Sequence, residues 1–147
     1  MTAQVVPSHT QLIGQLSQAG LAVSSQRVAL LGSLIASESE HPTADSLYQV
    51  LQAQFPTLSR ATVYNNLAAL VAAGLIERID THEGSRFGPV PVPHVNLICE
   101  SCGSIEDALV NSELLTTVRE RAAAEIEGFR PLNLAATLSG TCRACQG

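Results

Sequence analysis

Lysine is absent from this sequence of 147 residues, and its eight basic side chains are all arginines. Thirteen acidic residues outnumber them and leave a formal net charge of −5. A domain that binds nucleic acid over a broad surface is usually strongly basic, so this balance counts against such binding. Any contact with DNA must therefore be made locally, against an acidic background.

Long apolar runs and a leader segment are also missing. No stretch reaches the roughly 18 apolar residues that span a membrane. The first residues, MTAQVVPSHTQLIGQL, lack the charged start and continuous apolar run of a secretory signal. We therefore expect a cytoplasmic protein with no membrane partner. Because disulfides rarely persist in that reducing compartment, its cysteines are expected to bind metal or to act in redox chemistry.

The composition is that of a folded protein, with 46% hydrophobic and 14% charged residues. Four segments carry apolar residues at helical spacing: 11–19, 24–37, 41–55 and 60–74. Residues placed to cap the last three helices are Ser24 or Ser25, Thr43 and Ser59. The expected buried stripes of these three helices are Val28, Leu31, Leu34 and Ile35, then Leu47, Val50, Leu51 and Phe55, then Val63, Leu67, Leu70 and Val71.

Two strand-like segments, LIERI and SRFGPV, flank the turn DTHEG and predict a β-hairpin after the fourth helix. Three helices, a fourth helix and a hairpin form the order of a winged helix, which is a helix-turn-helix variant. The segment GPVPVP then holds three prolines in six positions and predicts a semi-rigid hinge. We therefore predict an α+β protein with a winged helix over residues 1–88, a hinge over 89–93 and a second domain over 94–147.

The second domain is predicted to be a small α/β unit. Its expected elements are a strand over 94–99, a short strand over 104–106, an amphipathic helix over 111–127 and a final strand over 133–138. A domain of this size is hard to stabilise without a metal or a partner.

The four cysteines form two C-x-x-C pairs, which are Cys99 with Cys102 and Cys142 with Cys145. Four thiolates satisfy the tetrahedral preference of Zn²⁺, and each pair supplies two sulfurs from one tight turn. The alternative is a thioredoxin-like dithiol, which needs one C-x-x-C opening a helix after a strand. Two pairs and no such helix favour a structural zinc ion.

The fourth helix is a candidate recognition helix. Its outward face must carry Arg60, Tyr64 and Asn65 or Asn66, side chains that can reach bases or phosphates in a major groove. The alternative is an ordinary solvated helix face with one amphipathic tyrosine.

Taken together, HPTADSLYQVL, SRATVYNNLAALVAAGLIERI, SRF, HVNLICESCG and the closing CRAC resemble the ferric uptake regulator (Fur) superfamily over nearly the whole chain. HPTAD and ATVYNNL are most similar to its PerR-like, peroxide-responsive branch. The resemblance implies a homodimer with a C-terminal dimerisation domain, a zinc ion on the four cysteines, and a palindromic, AT-rich operator in double-stranded DNA. It assigns DNA contacts to the fourth helix, where the candidates are Ser59, Arg60, Thr62, Tyr64, Asn65 and Asn66.

The resemblance also implies a regulatory ion at the hinge, and here the chain departs from the family pattern. His41, His94 and Asp107 match family ligands, whereas the wing carboxylate has become Gly88 and a second histidine has become Asn96. Asp80, His82 or Glu83 of the wing loop are alternative donors. Nitrogen and oxygen ligands suit Fe²⁺ or Mn²⁺, so we expect a weak site made of His41, His94, Asn96 and Asp107.

The predicted function is that of a metal-dependent transcriptional repressor in metal homeostasis or the oxidative-stress response, not an enzyme. Two alternatives stay open. One is a zinc-stabilised thiol redox switch, in which oxidation of the cysteines ejects zinc. The other is a metal-independent repressor on the same fold.

Overall fold

A computed structural model describes residues 6–37, 40–89, 93–131 and 134–147. The chain divides into two compact units, residues 1–90 and residues 91–147, and each unit is described by itself. The central residues of the predicted hinge, 90–92, lie outside the described residues, and the functional limits of the domains stay a prediction. Within the described part of the chain, no helix has both the length and the apolar character needed to cross a membrane.

The first unit is the predicted winged helix. Its elements are α1 (His9–Gln18), α2 (Ser25–Ala36), α3 (Ala44–Gln54), α4 (Arg60–Ala72), β1 (Ile76–Thr81) and β2 (Gly84–Pro89). The predicted caps at Ser24, Thr43 and Ser59 are confirmed, because each side chain accepts a hydrogen bond from a backbone N–H of the first turn. These local signals explain why α2, α3 and α4 begin where they do.

The core of the first unit is made of leucines from all four helices. Leu16, Leu34 and Leu70 are fully buried, together with most of the predicted stripes. Val50 was wrongly expected among them, since it is 63% exposed. The buried face of α3 is formed by Ala44, Leu47 and Leu51, and Val50 lies one residue, or about 100°, around the helix from Leu51.

The hairpin packs against the helices through its buried side chains. β1 and β2 pair antiparallel from Ile76 opposite Pro89 to Thr81 opposite Gly84. Ile76 and Phe87 are buried in the core that the helices form, and Gly84 turns the chain at a φ of 123°, a conformation that favours glycine. The predicted wing is therefore present.

The second unit contains β3 (His94–Cys99), β4 (Ile105–Leu109), α5 (Ser112–Ala124) and β5 (Thr137–Gly140), followed by a single 3-10 turn at Arg143–Cys145. The strand order is β4-β3-β5. β4 runs antiparallel to β3, whereas β5 runs parallel to it. Together with the first unit, this makes the α+β fold that the sequence predicts.

Three predicted limits in the second unit were wrong. β4 continues to Leu109 and α5 ends at Ala124. The last strand lies at Thr137–Gly140 rather than over 133–138, and residues 132–133 lie outside the described residues. The strand is placed by parallel pairing with β3, from Asn96 opposite Thr137 to Cys99 opposite Gly140. Such long-range pairing leaves no mark in the local sequence.

Candidate metal centre and nucleic-acid interface

The four cysteines converge at one end of the β3–β5 pair. Their sulfur atoms all lie within 4.8 Å of one another, and Cys102 Sγ is 3.8 Å from Cys142 Sγ. A tetrahedral zinc site with Zn–S bonds of about 2.3 Å places neighbouring sulfurs about 3.8 Å apart. The cluster is thus consistent with a structural zinc site.

Backbone geometry brings the two pairs together. Gly103, at a φ of 74°, closes the first turn, in which its N–H donates to the Cys99 carbonyl over 2.9 Å. In the second turn the Cys145 N–H donates to the Cys142 carbonyl over 3.0 Å. The two turns are joined where the Glu100 N–H donates to the Gly140 carbonyl over 2.9 Å. Because the second pair follows a strand and opens no long helix, the arrangement does not match a thioredoxin-like dithiol.

Hydrogen bonds shift the pKa values of the cysteine thiols in different directions. The Cys142 N–H donates to Cys99 Sγ over 3.3 Å, and mainly for this reason the pKa of Cys99 is lowered to about 6. The bond with the Ser104 hydroxyl lowers the pKa of Cys102. In contrast, hydrogen bonds with the neighbouring sulfurs, Cys142 first, raise the pKa of Cys145 to about 12. Four thiolates cannot be held this close without a positive ion between them.

The candidate recognition helix α4 exposes two neighbouring uncharged side chains. Tyr64 is 52% exposed and Asn65 is exposed beside it, while Val63, Leu67 and Leu70 are buried on the opposite face. Tyr64 and Asn65 therefore both project from the same accessible side of the unit.

The other four DNA candidates are engaged within the protein. Ser59 Oγ accepts from the Thr62 N–H over 3.1 Å and lies 2.9 Å from Thr62 Oγ1, so both residues form the helix cap. Asn66 is half-buried, and its Oδ1 accepts from Arg27 Nε over 3.1 Å. Arg60 pairs with the carboxylate of Asp45.

The sequence did not predict three residues that contact these candidates: Arg27 on α2, and Asp45 and Tyr48 on α3. Tyr48 contacts Arg60, whose guanidinium is 4.6 Å from the centroid of the Tyr48 ring. The i, i+3 spacing of Asp45 and Tyr48 places them on one face of α3. No sequence signal relates that face to the first residue of α4.

His41, the regulatory candidate of the first unit, is held by the wing strand. It is 3% exposed and adopts a φ of 47°, a conformation that is uncommon outside glycine. Arg86 donates to the carbonyls of His41 and, over 2.8 Å, of Glu40. A Cβ added at Gly88 would lie 3.3 Å from Cδ2 of His41, closer than an ordinary carbon contact. The imidazole therefore fits against Gly88 because no side chain stands there.

The regulatory candidates of the second unit share one face of its sheet. Asn96, which is 3% exposed, stands directly opposite Asp107 in the β3–β4 pair. His94 lies two residues before Asn96 and so points to the same side. Three of the expected donors are thus grouped, and the fourth, His41, belongs to the first unit.

The alternative donors of the wing loop have other partners. The Asp80 carboxylate accepts from Arg78 Nε and from Ser85 Oγ, both over 2.8 Å. These bonds, that from Ser85 first, lower the pKa of Asp80. His82 Nε2 is 3.8 Å from Glu83 Oε1 at the tip of the wing.

Comparison with known proteins decides the family. The sequence profile of the ferric uptake regulator family matches residues 18–137. This chain belongs to that family. It is 37% identical over 131 residues to the peroxide operon regulator of Bacillus subtilis, covering 88% of each chain. It is also 37% identical over 135 residues to the peroxide-responsive repressor PerR of Staphylococcus aureus, covering 91% of this chain and 88% of that one.

A solved structure shows that the similarity includes the three-dimensional fold. The peroxide stress regulator of Campylobacter jejuni superposes with a TM-score of 0.67 and 28% identity, covering 92% of this chain and 97% of the other. The family assignment and the similarity to peroxide-responsive repressors, both predicted from the sequence, are confirmed. As a member of the ferric uptake regulator family, this chain is a metal-responsive, DNA-binding transcription regulator, not an enzyme.

Proposed function

We propose that this regulator is a cytoplasmic homodimeric repressor that binds a palindromic, AT-rich operator in double-stranded DNA. The observation that carries the proposal is the exposed Tyr64 and Asn65 pair on α4 of a winged helix. Amides bond to adenine edges, and an aromatic ring packs on thymine methyls. Two such helices related by a two-fold axis match an inverted repeat.

The second unit supports the homodimer. No residue of α5, all of which lies in the described range, is buried within the single chain. Large apolar side chains are exposed along this unit, namely Leu97, Leu109, Leu114, Val118, Ile126, Phe129 and Leu138. An apolar surface of this kind marks a protein interface. In the proposal, the partner's second unit covers it.

Selection from a pool of random DNA duplexes tests the operator. The zinc-loaded protein with Mn²⁺ is expected to enrich an AT-rich inverted repeat. Enrichment of a single half-site would contradict the homodimer, and no enrichment at all would contradict the proposed reading of bases by α4.

Regulation is proposed to come from a weakly held Fe²⁺ or Mn²⁺ ion. Its donors would be His41 of the first unit and His94, Asn96 and Asp107 of the second. Asp107 is the single carboxylate in this set, so we expect weaker binding than in a relative that keeps the wing carboxylate and the second histidine. A weakly held Fe²⁺ would also make oxidation of His41 or His94 by peroxide inefficient.

Restoring the two missing donors is expected to tighten metal binding. The variant Gly88→Asp with Asn96→His should bind Mn²⁺ at least about 10–100-fold more tightly in calorimetry, a range that even outer-shell changes produce. The matched control is Gly88→Ala with Asn96→His, which adds the Cβ beside His41 without the carboxylate. Equal affinities for both variants would show that position 88 contributes no donor. Tight binding by the unmodified protein through His41 and His94 would reveal other ligands.

The rival function is a thiol switch at the cysteine cluster. It is favoured by Cys102, whose thiol is exposed and has a lowered pKa through its bond with Ser104, because an accessible thiolate is the form that peroxide oxidises. Zinc release can be followed with a chromogenic chelator while peroxide is added at concentrations that relieve DNA binding. We expect DNA binding to respond before zinc is released. Zinc release and loss of DNA binding at the same peroxide concentrations would favour the thiol switch.

A further inference from the structure

The guanidinium of Arg60 is held by two residues of the preceding helix. Arg60 is the first residue of α4, and it pairs with the carboxylate of Asp45 from the first turn of α3. Its guanidinium also lies 4.6 Å from the centroid of the Tyr48 ring. The ring itself is tied to α3, because Tyr48 Oη accepts from Gln52 Nε2 over 2.8 Å.

This contact places a negative charge beside Tyr64 and Asn65, the residues proposed to read the bases. Arg60 is the only cation in α4, one turn before Tyr64. DNA is a polyanion, and each phosphate that a cation neutralises adds affinity without regard to sequence. Asp45 cancels the charge that Arg60 would offer and also repels a nearby phosphate.

The pair is weak enough to be exchanged. The side chains are 55% exposed for Arg60 and 59% exposed for Asp45, and solvent-exposed ion pairs contribute little to stability. A phosphate or a guanine that is aligned with Arg60 in a specific complex can therefore replace Asp45 with little loss of free energy. A loosely bound, non-specific duplex gains less binding free energy from this exchange.

We propose that Asp45 is a specificity-determining residue. It neutralises Arg60 and so lowers the affinity for non-specific DNA, while Tyr48 keeps the guanidinium in place. Asp45 lowers affinity for all DNA, but less for an operator that aligns a partner with Arg60. The chain has eight cationic side chains and no lysine, and Arg60 is the one that α4 carries, so neutralising it leaves this helix without a free positive charge. This inference rests on the proposed DNA-binding function.

The test is a double-mutant cycle of Asp45→Asn and Arg60→Gln. Binding is measured by fluorescence anisotropy, at several salt concentrations, to a random-sequence duplex and to the duplex enriched by selection. Asp45→Asn is expected to tighten binding to the random duplex about two- to five-fold. It should also steepen the dependence of log affinity on log salt by about one. The ratio of operator to random affinity is expected to fall.

Arg60→Gln supplies the decisive control. In that background Asp45→Asn is expected to give a clearly smaller gain in affinity and a smaller change in salt dependence, because it removes only the repulsion between Asp45 and phosphate and frees no cation. An equal gain in both backgrounds would show a general charge effect and overturn the proposal, as would no gain in the Arg60 background. Circular dichroism and thermal melting check that each variant folds. If the unmodified protein bound no DNA under any condition, the proposed DNA-binding function itself would be wrong. If it bound DNA but Asp45→Asn left the affinity unchanged, only the role of Asp45 would be wrong.

Discussion

Replacing Cys142 with serine will remove zinc and unfold the second unit. Cys142 contacts both cysteines of the first pair, because its sulfur lies 3.8 Å from Cys102 Sγ and its N–H donates to Cys99 Sγ. Structural zinc contributes on the order of 10 kcal/mol to the folding of small zinc domains at neutral pH. Among the described residues of the single chain, few of the second unit are buried, chiefly Asn96, Ile98, Cys99 and Ile105. The single unit therefore has only a small core to stabilise it without zinc.

Metal analysis and sedimentation measure this outcome. We expect the Cys142→Ser protein to lose its zinc, to sediment as a monomer and to melt at a lower temperature. Thr141→Ser is the matched control, since it introduces the same residue at the neighbouring exposed position and removes no thiol. A zinc-free Cys142→Ser protein that remained a stable dimer would contradict a structural role for the ion.

Replacing Asn65 with alanine will weaken binding to the operator and reduce the protein's preference for the operator over other sequences. An amide paired with an adenine contributes about 1–3 kcal/mol of discrimination, so we expect a loss of affinity of about 5–150-fold at the selected operator. Binding to a random duplex should change little. Asn65 is exposed, and for that reason the substitution should leave the melting temperature nearly unaltered.

Asn66 provides the contrast within the same helix. Its Oδ1 accepts from Arg27, which links α4 to α2, so Asn66→Ala is expected to lower stability more than sequence preference. Gln54→Ala removes an exposed amide from α3 and serves as the neutral control. If Asn65→Ala weakened binding to all duplexes equally, Asn65 would be a phosphate contact rather than a base contact.

Features of the fold with local causes were predictable. The helix caps at Ser24, Thr43 and Ser59 depend on side chains within three residues of the bonds they accept. The leucine stripes follow from helical periodicity. Val50 shows the limit of this reasoning, because an apolar residue one position from the buried stripe reads the same in sequence whether it faces the core or the solvent.

Features that depend on tertiary pairing were not predictable. β5 lies at Thr137–Gly140 because it pairs with β3 in parallel, and no local pattern marks its start. The same holds at the site, where side chains distant in sequence meet: Arg27 with Asn66, and Asp45 with Arg60. The C-x-x-C pairs are the exception, because metal-ligand spacing is itself a sequence signal.

The most direct test of a metal-linked repressor is a titration of operator binding with and without the regulatory ion. Zinc-loaded protein is bound to the selected duplex under anaerobic conditions, first with a chelator too weak to remove the structural zinc, then with Mn²⁺ or Fe²⁺ added. We predict a gain in affinity of about 5–150-fold, and the same factor in metal affinity when DNA is present, because coupling between two ligands is reciprocal. Equal operator affinity with and without the ion would contradict metal-linked repression and favour the metal-independent alternative.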